Sequence, residues 1–170
     1  NSGIVRSVTF GSEEALARAM KLSVSMQTLG AVIFLMHSVY ALILFLLGNR
    51  EKRLLYFSLL ALCITISNVF SNDEKLFHQL FYIGSDWDFR LSNMAFIIGC
   101  YALLECTNHR ELPYWSRMYP VYTAINLGTA GITMFLAPHQ VIMLFPVYFL
   151  LAAVAVVITI MAIFKRVIQD

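Results

Sequence analysis

The sequence predicts an all-α membrane protein: a multi-pass transmembrane helix bundle of about five spans, N-terminus outside and C-terminus inside. Three observations predict it. Of the 170 residues, 59% are hydrophobic and 13% charged, where a soluble domain carries about 25% charged residues. Apolar runs recur, each near the roughly 20 helical residues needed to cross a hydrocarbon core of about 30 Å. Basic residues also crowd alternate turns: Arg50, Lys52, Arg53, Arg110, Arg117, Lys165 and Arg166 on one side, against Lys75 and Arg90 on the other. The positive-inside rule makes the richer side cytoplasmic.

Residues 1–27 read as the end of an outer domain and a helical lead-in. Ile4-Val5-Arg6-Ser7-Val8-Thr9-Phe10 partly alternates apolar and polar, as a short strand does. Gly11 breaks it, Ser12 serves as an N-cap, and Glu13 and Glu14 suit the first turn of a helix. The chain begins at Asn1 with neither Met nor a signal peptide, so it reads as a segment of a longer protein.

The bundle occupies residues 28–166. Its first span, 28–47, contains His37, Ser38 and Tyr40, and the charged turn Gly48-Asn49-Arg50-Glu51-Lys52-Arg53 ends it. That turn cannot lie in lipid and joins the first span to the second, 54–70, which carries Cys63, Thr65, Ser67 and Asn68. Residues 71–90 form an acidic outer loop in which Leu76, Phe77, Leu80, Phe81 and Ile83 recur at the spacing of a short interfacial helix. Gly84-Ser85 ends that helix, with Trp87 and Phe89 at headgroup level. The third span is 91–106, from Leu91 past Asn93 to Glu105 and Cys106, and residues 107–116 make an inner loop. The fourth, 117–136, has Pro120 near its start and small residues Ala124, Gly128 and Gly131 spaced for the approach of a neighbouring helix. After the turn Ala137-Pro138-His139-Gln140 comes the fifth, 141–164, interrupted by Pro146 and stopped by Lys165-Arg166.

Several function classes are disfavoured. There is no HExxH, GxSxG, Walker A or Rossmann glycine pattern, so no enzyme and no cofactor is expected. The net charge of +2 is too small and too dispersed to imply nucleic acid. Cys63, Cys100 and Cys106 lie in apolar runs without CxxC spacing and read as buried thiols, and the four scattered histidines imply no metal. What remains is polarity inside the spans. Amide and hydroxyl side chains are costly in lipid and turn toward the bundle interior. Tyr40, Asn68, Asn93 and Asn126 are therefore the candidate site, as ligand contacts or as interhelical contacts whose geometry differs between states.

Val8-Thr9-Phe10-Gly11-Ser12-Glu13-Glu14-Ala15-Leu16, then Met36-His37-Ser38-Val39-Tyr40, the turn 48–53 and Leu54-Leu55-Tyr56-Phe57 follow one another in a familiar order. From Val8 onward the chain resembles bacterial seven-transmembrane receptors with diverse intracellular signalling modules. It departs from that family in showing five spans rather than seven. A five-span histidine-kinase sensor is the nearest alternative, but the glycine-rich patterns expected of it are missing. The resemblance implies an outer sensor domain upstream and a cytoplasmic effector domain downstream in the same chain, at the cell membrane. The expected partners are then the lipid bilayer, those two domains and a second copy in a homodimer. The expected function is a transmembrane sensor or receptor domain that relays an extracellular signal to the effector. A transporter or channel fragment, or a membrane scaffold subunit, is the alternative.

Overall fold

The computed structural model describes residues 13–48, 50–70, 85–107 and 112–169, and among these there are helices and turns but no strand. The strand and N-cap expected before Glu13, and the interfacial helix expected within 71–84, lie outside the described residues. Helix α1 (Glu13–Leu46) is continuous for 34 residues, so the lead-in and the first span are one rod of about 50 Å. Gly48, at φ 124°, ends it, because that backbone conformation is strained for any residue with a Cβ. Helix α2 (Lys52–Phe70) starts immediately after, so Lys52 and Arg53 belong to its first turn rather than to the loop.

Helix α3 (Ser85–Cys106) begins six residues before the expected Leu91, and Trp87 and Phe89 are helical. Asp88 suits this start, since the positive end of the helix dipole favours acidic groups there. Helix α4 (Pro113–Phe135) also begins early, at a proline whose fixed φ suits the first helical position. Pro120 therefore sits inside the helix, where it removes one backbone hydrogen bond, not near its start. Short α5 (Pro138–Val141) and a 3-10 turn (Ile142–Leu144) lead into α6 (Phe145–Gln169). Pro146 is the second residue of α6, so it marks the rewinding of the helix rather than a break in its middle.

Among the described residues, four segments are long and apolar enough to cross a membrane: Lys21–Leu46, Lys52–Phe70, Trp87–Cys106 and Pro138–Ile168. The chain is thus a multi-pass, membrane-embedded helical protein. Helix α4 is long enough at 23 residues, but tyrosines, threonines and Asn126 dilute its apolarity.

Helix α3 packs against α2, α4 and α6, and α1 packs on α2. Apolar residues such as Ile97, Leu104 and Val141 are buried, yet many large apolar side chains also face outward. Ala41, Ala61, Ala102, Ser38, Ser58 and Thr133 are buried, while Met36, Leu47, Phe149 and Ile168 are exposed. Small and hydroxyl-bearing residues let helix backbones approach where lipid leaves no hydrophobic drive between helices. Helix α4 shows this most clearly. Tyr122, Asn126, Thr129 and Thr133 face inward, and Val121, Ile125 and Ile132 face out. Its stripe of Ala124, Gly128 and Gly131 is exposed, and a side chain added at Gly128 or Gly131 would meet nothing within 4 Å. That stripe therefore receives no neighbouring helix from the described residues.

Candidate functional site

Hydrogen bonds between helices gather into two sets, one between α1 and α2 and one among α3, α4 and α6. In the first, the Ser38 hydroxyl donates to the Ser58 carbonyl (2.9 Å) and the Ser58 hydroxyl to the Ser38 carbonyl (2.8 Å), a reciprocal clamp between α1 and α2. Gln27 Nε2 reinforces it from one end by donating to the Asn68 carbonyl at 2.6 Å. In the second set, Asn126 Nδ2 of α4 donates to the Ile97 carbonyl of α3 at 3.2 Å. The Tyr122 hydroxyl reaches the Leu151 carbonyl of α6 at 3.3 Å, and Thr133 and Tyr148 join their hydroxyls at 2.7 Å. Arg90 Nη1 donates to the Met134 carbonyl at 3.2 Å, closing the α3–α4 contact near the N-terminal end of α3. Such bonds matter in lipid because the hydrocarbon core holds no water to replace them.

The two sets meet along α2 and α3, which touch closely at Gly99: a Cβ there would lie 3.5 Å from Cys63 Cβ. Beside that contact a cavity of about 560 Å³ opens between α2, α3 and α6. It exists because Ala95 and Gly99 on α3 and Ala152 and Ala155 on α6 carry too little side chain to fill it. Its polarity is confined to one end, where Ser67 and Asn68 stand at the C-terminus of α2. A second cavity of about 240 Å³ shares Ser67 and Phe96 with the first and adds Ser92, Asn93 and Tyr148. None of the described residues lining either cavity is charged.

The four residues singled out from sequence fall in different places. Asn68 and Asn93 come to the same end of this cleft, Asn68 beside the first cavity and Asn93 beside the second. Asn93 Nδ2 donates within its own helix, to the Phe89 carbonyl at 2.7 Å. The Asn68 amide nitrogen lies where Gly30 of α1 leaves room, 3.0 Å from the position a Cβ would take. Asn126 is fully buried on the α4 side of α3, and its Oδ1 has no hydrogen-bond partner among the described residues. Tyr40 is 64% exposed and points away from the bundle. His37 bonds only one turn back, to the Ile33 carbonyl at 2.7 Å.

Sequence reasoning passed over three contacts: Gln27 with Asn68, Ser38 with Ser58, and Thr133 with Tyr148. Their one signal was a small hydroxyl or amide group inside an apolar run. Glu105 is 9% exposed and accepts a hydrogen bond from the Tyr119 hydroxyl. Tyr101 joins this group, 3.5 Å from the Tyr119 hydroxyl and edge-on to Tyr56 at 6.1 Å. The cluster links α2, α3 and α4 at the end of the bundle opposite Asn68. Among the described residues no group of three His, Cys, Asp or Glu side chains could hold a metal. Compared with protein-family models, curated proteins and solved structures, the chain matches none.

Proposed function

We propose that this chain is the membrane domain of a cell-membrane receptor, relaying a signal from an outer sensor domain to a cytoplasmic effector domain. The observation that carries this reading is the cleft between the two hydrogen-bonded sets of helices. Each set is tied internally and the space between α2 and α6 is open, so a shift of one set against the other is taken up where α2 meets α3, at Gly99 and at the Tyr56–Tyr101 contact. Packed helices that move as units in this way supply the two discrete states a relay needs.

Five spans fit this reading. The inward polar stripe and outward apolar face of α4 suit a helix surrounded by lipid on one side and protein on the other, despite its modest overall apolarity. Five crossings place the termini on opposite faces, and the seven-to-two distribution of basic residues puts the C-terminus inside.

Locking the cleft tests the relay. Ile64 and Val156 stand on opposite lips, and both are partly exposed. Joining Ile64→Cys to Val156→Cys with a short bifunctional reagent, in full-length protein lacking its native cysteines, is expected to hold the effector output at one level whatever the stimulus. Output that still follows the stimulus after complete cross-linking rejects the relay. A transporter is the second reading, resting on Glu105, a buried carboxylate at the C-terminal end of α3, since ionisable groups in spans commonly mark ion paths. Ion flux in proteoliposomes that disappears in Glu105→Gln would establish that second reading.

A further inference from the structure

We propose that the cleft between α2, α3 and α6 binds a single-chain amphiphile whose head is uncharged and forms hydrogen bonds, such as a long-chain alcohol. The proposal does not depend on the relay, because occupancy of the cleft can be measured without any signalling output.

Three features of the cleft select this ligand. The first is size. About 560 Å³ lies within the range of roughly 300–1,000 Å³ typical of small-molecule sites. From Leu60 to Asn68 the α2 wall rises by eight residue steps, about 12 Å at 1.5 Å per residue, a depth suited to an extended alkyl chain. The second is the segregation of polarity. Leu60, Cys63 and Ile64 give way to Ser67 and Asn68 along α2, and the neighbouring cavity adds Ser92 and Asn93 at the same end. The Ser67 hydroxyl can donate or accept there, and Asn68 lines the same end while its amide nitrogen lies against Gly30 of α1. The third is charge. With no cation or anion among the lining residues described, a phosphate or carboxylate head would be desolvated without a counter-charge, which is strongly unfavourable. A neutral hydroxyl or carbonyl head loses only water contacts that the amide and hydroxyl groups replace.

An ordinary phospholipid tail resting in the same space is the competing occupant, and the experiment separates the two. The full-length protein, reconstituted in phosphatidylcholine vesicles, is photolabelled with dodecanol bearing a diazirine on its chain. Labelled peptides are then mapped by mass spectrometry. Saturable labelling concentrated on 60–68, 95–103 and 152–156 is expected, with unlabelled dodecanol competing about ten-fold better than dodecyl phosphate, equivalent to about 1.4 kcal/mol. Ala152→Leu, which fills the cleft from α6, is expected to lower labelling there by about ten-fold while the helical circular dichroism and melting temperature stay near those of the parent. Asn68→Leu is expected to remove the preference for the alcohol over the phosphate. Labelling that spreads evenly over lipid-facing residues such as Met36 and Phe149 would overturn the proposal. Equal competition by dodecyl phosphate, or unchanged labelling in a folded Ala152→Leu protein, would do so too. The competition arm uses the unmodified protein, so it decides the matter even if the variants fail to fold.

Discussion

The Ser38–Ser58 clamp shows what single residues contribute. Each hydroxyl reaches the other's backbone carbonyl, so two small side chains draw α1 and α2 together without a large apolar contact. Interhelical hydrogen bonds in membranes average about 0.6 kcal/mol, with a maximum near 1.7. Ser38→Ala should therefore lower stability by about 0.6 kcal/mol, measured by reversible unfolding in mixed micelles. Ser38→Leu at this buried position should cost more, about 1–3 kcal/mol, because it forces the helices apart. A Leu variant as stable as the parent would show that the clamp is not packed as described. Asn126 differs, since its Oδ1 is buried without a partner. Asn126→Leu removes one interhelical bond and also that unsatisfied carbonyl, so its stability should change by less than about 1 kcal/mol. A change in effector output with stability preserved would mark Asn126 as state-dependent.

At the scale of elements, turn chemistry and close contacts decide where helices stop and how near they come. Gly48 holds φ 124° between α1 and α2. Gly48→Val should destabilise the hairpin by about 1–3 kcal/mol, since a β-branched residue resists that conformation. Gly48→Asn should be milder. A thermal melt of the reconstituted protein compares the two, and equal losses would argue against backbone strain as the cause. Gly99 is governed by space instead. A methyl group there makes ordinary contact with Cys63 at 3.5 Å, so Gly99→Ala should be accepted. Gly99→Leu should separate α2 from α3 at a cost of about 1–3 kcal/mol.

At the scale of the molecule, the outstanding quantity is the number of crossings. With five spans, Arg50→Cys and Thr107→Cys face the cytoplasm and Ala137→Cys faces outward. In a background without native cysteines, an impermeant maleimide applied to intact cells should label Ala137→Cys alone, and permeabilisation should expose the other two. If Ala137→Cys also requires permeabilisation, α4 does not cross. Helix α4 falls short on apolarity taken alone, and its inward polar face is buried only because α3 and α6 pack against it.

Class and order were legible from sequence: helices throughout the described residues, the charged turn after the first span, and apolar runs near their observed limits. Those features follow from the cost of placing charge or unpaired backbone in lipid, which acts residue by residue along a chain. Helix starts at Ser85 and Pro113 were missed because polar residues there looked like loop, although an acidic first turn and an N-terminal proline both favour helix. The partnerships were not legible. Four polar residues looked alike in one dimension, yet packing placed Asn68 and Asn93 at a common cleft, Asn126 behind α3, and Tyr40 on the outer face. A linear pattern records how costly a side chain is in lipid. Which neighbour relieves that cost depends on helix rotation and close approach, and only the tertiary structure sets these.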